Sequence, residues 1–210
     1  MHKFPLVLCL FLLLPAAVYA DRTIVSPSGY TMPSGFDSET FQTVDGKPKT
    51  MEMLDIANSD FQFETAYVAR PHLDRLSESI QALVLPETMP TPSFSVGVKD
   101  ILNSAGAYSG DGYYGRAYYL SFTKSLGNML INPGSQGLII TGGLGAGAYH
   151  GFFGGVNDVL PMHLLATAEY DSRSVNYRLS LQTSAVTRFS FNRVGGSNWL
   201  SFDFHSPVSL

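Results

Sequence analysis

Glu169 and Asp171 stand two residues apart in "ATAEYDSRS", so a strand through them holds both carboxylates on one face. Paired carboxylates can run glycoside hydrolysis, one as acid and the other as nucleophile or base. At a strand end beside Arg173 and Arg178, the same pair reads more simply as solvated partners of the two cations. His72, His150, His163 and His205 are isolated from one another and show no metal-ligand spacing. No glycine-rich phosphate loop carries the required Lys and Ser or Thr, and there is no G-x-S-x-G elbow. The inventory points away from an enzyme, a cofactor or a metal.

A different kind of pair lies in "SFNRVGGSNWLSFDF", residues 190–204. Gly195-Gly196 suits the two positive-φ positions of a type I′ turn. Folding the chain there sets Phe191 opposite Leu200 and Phe189 opposite Phe202 on one face. The other face pairs Ser190 with Ser201 and Arg188 with Asp203. The elements before it continue both faces. In "LLATAEYDSRSVNYRLSLQTSA", Val175, Tyr177, Leu179 and Leu181 alternate with Asn176, Arg178, Ser180 and Gln182. A loop at "DSRS" pairs Tyr170 with Val175, Ala168 with Tyr177 and Ala166 with Leu179. A three-residue loop at "TSA" pairs Leu179 with Phe189 and Tyr177 with Phe191. Four strands then share one apolar and one polar face, because a slip of one residue would invert them.

The N-terminus sets the compartment. A lone Lys3, an apolar run from Leu6 to Leu14 and a closing "VYA" read as a secretory signal peptide over residues 1–20, cleaved before Asp21. The single cysteine, Cys9, lies inside it, which leaves the exported chain without thiols for disulfides, catalysis or zinc. The 13 basic and 17 acidic side chains give a net charge of −4, and the bases are scattered, so nucleic acid is not a partner. Only 14% of residues are charged while 20 are glycine and 11 tyrosine, a profile of an exported, strand-rich chain.

Residues 21–60, with "SPSGYTMPSGF" and "VDGKPK", read as an extended N-terminal segment with one short β-like stretch at Arg22–Ser26. A barrel domain follows over 61–210. Its first strand alternates Phe61, Phe63, Thr65 and Tyr67 against Gln62, Glu64 and Ala66. Over 72–84, Leu73, Leu76, Ile80, Leu83 and Val84 recur at helical spacing, which predicts an amphipathic helix packed on the domain. Strands follow at Phe94–Val98, Tyr118–Phe122 and Leu160–Asp171. "LIITGGLGAGAYHGFFGGV" is long enough for a membrane helix, but its glycines cost a helix about 0.8–1 kcal/mol each. Strands at Leu138–Ala148 and Phe152–Val156 are the favoured reading.

One apolar face on an exported meander fits a transmembrane barrel or a soluble secreted β-sandwich that binds a glycan or lipid. Strand length and aromatics near strand ends (Tyr170, Tyr177, Phe191, Trp199) favour the barrel. "SPSGYTMPSG", "PSFSVGVKDILNSAGAYSG", "AYYLSFTKSLG", "HGFFGGV" and "LLATAEYDSRSVNYRL" resemble, in order, segments of the YjbH-type outer-membrane proteins linked to exopolysaccharide. The resemblance implies an outer-membrane β-barrel without enzymatic activity, associated with surface polysaccharide. The chain departs from the family in being short, in lacking a lipidated cysteine, and in ending "FDFHSPVSL" with its last aromatic at Phe204.

The expectation is an all-β, antiparallel up-and-down meander, a transmembrane barrel of about eight to ten strands. Arg178, Arg188, Asp203, Glu169 and Asn176 should line its lumen and set selectivity. Leu179, Tyr177, Phe189, Phe191 and Phe202 should face lipid. Such a protein serves as a passive pore or as a structural or export-related component. Its partners are outer-membrane lipid and, beyond that, polysaccharide or export machinery.

Overall fold

The computed structural model describes residues 24–30, 35–45, 50–58, 60–69, 75–103, 115–127 and 137–207. The signal peptide and Asp21 lie outside them. Strands β1 (Gly35–Thr43), β2 (Thr50–Ala57), β3 (Phe61–Ala69) and β4 (Arg75–Leu85) open the meander. It continues through β5 (Ser93–Lys99), β6 (Ala117–Ser125), β7 (Gly137–Gly147) and β8 (Gly151–Leu160). β9 (Leu164–Tyr170), β10 (Val175–Gln182), β11 (Thr187–Val194) and β12 (Ser197–Pro207) complete it. Every neighbouring pair is antiparallel, and β12 returns to β1 to close the barrel, so no edge is left unpaired.

The inside of this barrel is polar and its outside apolar. Ser180, Ser190, Asn192, Ser201, Glu39 and Asp55 are buried, whereas Tyr177, Leu179, Phe189, Phe191 and Phe202 are 38–53% exposed. Alternation along each strand produces both faces at once. The hairpin registers follow the sequence reading at two turns. Gly195 and Gly196 take φ of 56° and 84°, and Arg188 faces Asp203 as Phe189 faces Phe202. Across the β9–β10 turn, Tyr170 faces Val175 and Ala168 faces Tyr177.

Other expectations are corrected. The barrel has twelve strands, not eight to ten. It begins at Gly35 rather than at 61, because β1 and β2 lie inside the segment read as extended. No helix occurs among the described residues, and residues 75–84 of the expected 72–84 helix fall in strand β4. Leu76 and Ile80 sit four apart, a spacing that serves one helix face and one strand face equally well. Here they point outward and pair with Tyr67 and Phe63, while Ser77, Ser79 and Gln81 turn inward. At the β10–β11 turn Leu179 pairs with Phe191 and Leu181 with Phe189. That is two residues off the expected register, an even shift that leaves the faces unchanged. Leu160 and Leu164 belong to different strands, separated by a turn in which Met162 and His163 have positive φ. Trp199 packs inward against Ile24, Val25 and Val194 instead of joining an outer girdle. The strands close into one barrel rather than two facing sheets, which removes the sandwich alternative.

The glycine-rich stretch forms β7 and β8, and its glycines have a packing reason. Gly143 lies directly across from Phe153, and a Cβ there would meet the ring at 2.2 Å. Gly97 stands in the same relation to Tyr119, at 2.3 Å. These gaps let Tyr119 meet Tyr149 and Phe153 edge to face inside the barrel, while Tyr149 and Phe153 lie tilted 34° to each other. Gly143→Val should therefore destabilise the barrel by about 1–3 kcal/mol through overpacking. Val156→Ala on the outer face, measured in the same urea titration, leaves that cluster intact. If Gly143→Val unfolded at the wild-type midpoint, the aromatic cluster would not be packed as described.

Candidate functional site

The candidate site is the lumen, and charged side chains from four successive strands meet in it. Arg178 on β10 reaches across two strands, and its Nη2 donates to Glu39 Oε1 on β1 at 2.7 Å. Its Nε donates to Asn192 Oδ1 at 2.5 Å, and Asn192 in turn donates to Ser201 Oγ at 3.0 Å. The guanidinium lies over the Phe41 ring, 5.5 Å from its centroid. One level away, Arg188 pairs with Asp203, which is also the direct strand neighbour of Glu39. The β10–β11–β12–β1 wall is thus joined by a network of two cations and two anions.

A second cluster sits toward the opposite end of β9 and β10. Asn176 Nδ2 donates to both Glu169 Oε1 and Asp171 Oδ2, each at 2.9 Å. Its Oδ1 accepts from Gly195 N at 3.0 Å, so one asparagine ties three turns and strands together. Asp171 Oδ1 accepts the Arg173 and Ser174 N–H groups at 2.9 and 2.7 Å, which fixes the β9–β10 turn. Glu169 and Asp171 do share a face, but they are 2% and 4% exposed, not solvated, and neither is bonded to Arg178.

Glu169 instead holds a segment that sequence reasoning left outside. Residues 24–30 lie within the barrel, with 24–29 buried. Ile24, Val25 and Ser26 direct their N–H groups at the Glu169 carboxylate at 2.9–3.2 Å. Further along, the Gly29 N–H donates to Thr123 Oγ1 at 2.7 Å, and Gln81 Nε2 donates to the Tyr30 carbonyl at 2.6 Å. Glu169 lies near the end of the barrel opposite to the start of β1, whereas Tyr30 bonds to Glu87 in the β4–β5 connection at the other end. The segment therefore runs the length of the lumen.

At that second end Lys124 Nζ stands 2.8 Å from Glu87 Oε1. Burial alone would raise the Glu87 carboxyl, but hydrogen bonds from Lys124, Tyr30 and the Ser125 N–H hold it below its usual 4.5. A carboxyl depressed on folding stabilises above its ordinary range, and that gain is lost as pH falls through the lowered value. Acid below about pH 4.5 should thus loosen the Tyr30 anchor, while pH 6–8 leaves it untouched. Amide hydrogen exchange of residues 24–30, corrected for its intrinsic pH dependence, reads this out, and Glu87→Gln should abolish the remaining pH dependence.

Glu169, Asn176, Arg178 and Asp203 are buried on the inner face, where Arg188 pairs with Asp203, while Leu179, Tyr177, Phe189, Phe191 and Phe202 are exposed on the outer face. Glu39, Asn192 and the Ser95, Ser121 and Thr123 hydroxyls were missed. Asn192 and Ser121 were legible as inward positions of alternating strands. Glu39 carried no such signal. His205 lies 3.9 Å from Asp37 and His150 contacts Arg173, while His72 falls outside the described residues. No protein-family model matches the chain, and no curated protein matches it in sequence.

Proposed function

We propose that this is an outer-membrane β-barrel without catalytic function, acting as a passive pore or as a structural or export-related component of the bacterial outer membrane. The observation that carries the reading is the inverted burial pattern. A row of outward aromatic and aliphatic side chains surrounds an interior of paired charges, amides and hydroxyls. A barrel in lipid has this arrangement, with its backbone groups paired within a closed sheet. In the same reading Arg178, Arg188 and Asp203 supply the charges a permeating ion or solute would meet.

Outer-membrane fractionation with heat-modifiable gel migration tests the proposal, and full recovery in a soluble periplasmic extract would overturn it. Support for surface polysaccharide or its export machinery as partner comes from the YjbH-type resemblance. Deletion of the gene should then change the amount of cell-bound polysaccharide. An unchanged amount would remove that partner and leave the barrel reading standing.

A further inference from the structure

Residues 24–30 are gripped by their backbone. Four of their N–H groups (Ile24, Val25, Ser26 and Gly29) are met by Glu169 and Thr123. Five carbonyls are met as well. Tyr149 O–H donates to Val25, Ser121 to Pro27, Ser95 to Gly29, and Gln81 to both Ser28 and Tyr30. The wall groups come from β4, β5, β6, β9 and the β7–β8 turn, one contiguous arc of the barrel. Recognition through main-chain groups selects a polypeptide and reads little of its side-chain sequence. Beside the segment a cavity of about 30 Å³ remains between Val25, Gln62, Lys99 and Tyr149. A water needs about 10–15 Å³ on this measure, so this space holds a water or two.

Resting on the outer-membrane reading, we propose that the lumen is a binding site for a polypeptide backbone, bent where the Ile24, Val25 and Ser26 N–H groups converge on Glu169. Residues 24–30 are its resident occupant, and the barrel opens when they withdraw. The segment is held by hydrogen bonds to wall side chains, those to Glu169 and Glu87 being charge-assisted, and by an apolar cluster of Ile24 and Val25 with Val194 and Trp199. Gly29 shows how closely it fits. A Cβ there would meet Thr123 N at 2.5 Å, the Phe122 carbonyl carbon at 2.8 Å and Ser93 Oγ at 2.9 Å, and a backbone wall cannot yield.

Single-channel recording in planar bilayers tests this with the full chain, Gly29→Val, and a variant lacking residues 24–30. Gly29→Val expels the segment without altering the wall. Both variants should conduct at least tenfold more of the time than the intact protein. A synthetic peptide of residues 24–30 should close the deletion variant again, and the same peptide N-methylated at Ile24, Val25 and Ser26 should not. Variants that insert, migrate as heat-modifiable barrels and conduct like the intact protein would overturn the plug while leaving the barrel intact. Failure of the intact protein itself to fractionate with membranes would instead sink the underlying reading. Should neither variant fold, Ile24→Cys with Val194→Cys locks the segment in place. The oxidised form should be silent and the reduced form show openings, and equal conductance in the two states refutes the proposal.

Discussion

Replacing Arg178 with alanine should destabilise the barrel by about 3–5 kcal/mol, the cost of leaving a buried partner charge uncompensated. The Arg178 and Glu39 side chains are 3% and 1% exposed, so water cannot take over from the lost guanidinium. Asn192 would lose its donor at the same time, because Arg178 Nε bonds to its Oδ1. Lysine should rescue poorly, since a point charge replaces a planar fork that serves two acceptors in different directions. The double variant Arg178→Met, Glu39→Leu should recover most of the loss, because removing both ions removes the desolvation penalty along with the attraction. Urea unfolding of vesicle-embedded barrel, followed by gel shift, measures all three. A loss below about 1 kcal/mol for Arg178→Ala would place the pair in water, as an ordinary exposed salt bridge.

Glu39 was the partner the sequence could not supply, and the reason lies in β1. Its outward positions include Ser38, Thr40 and Gln42, while Phe41 turns inward and is 1% exposed. Alternation that mixes polar and apolar residues on each face gives no period-2 signal, so the strand looks like loop. β10 to β12 are the opposite case. Tyr177, Leu179, Phe189, Phe191 and Phe202 mark the outer face, interrupted only toward the β11–β12 turn by Arg193 and Asn198, and Ser180, Ser190 and Ser201 mark the inner one. There the register was readable down to individual pairs wherever a turn had defined chemistry, as at Gly195-Gly196. It slipped by two residues at 183–186, where Thr183 and Ser184 bond to Thr187 and enclose a longer loop than "TSA" suggested. Strand β4 was hidden by Leu76 and Ile80, whose spacing suits two periods, and only the β3 partner at Tyr67 and Phe63 decides between them. The lumen segment was beyond reach for a different reason. Its contacts to Glu169, Ser121 and Thr123 join residues 94 to 145 positions apart and use its backbone, which every sequence shares.

Arginine at Leu179 should cost about 2–4 kcal/mol if the outer face lies in a bilayer, because that position is mid-strand and so near the midplane. Leu179 is 50% exposed and points away from the lumen, so no steric penalty accompanies the change. Val175, on the same face at the first residue of β10, is 53% exposed and in a bilayer would sit where the membrane meets water. Arginine there should cost only about 0–1 kcal/mol, since a long side chain at the interface reaches the headgroups. Depth dependence is what separates lipid from water, because in water the two positions are equivalent exposed sites. Ser180 is a poor control despite pointing inward. It is fully buried and accepts a hydrogen bond from Ser190 Oγ at 2.9 Å, so arginine there overpacks the lumen in any medium. Urea titrations of Leu179→Arg and Val175→Arg in vesicles read the difference directly. Equal stability of the two variants would mean that no hydrocarbon surrounds β10, and the inverted surface would then need a protein partner to cover it.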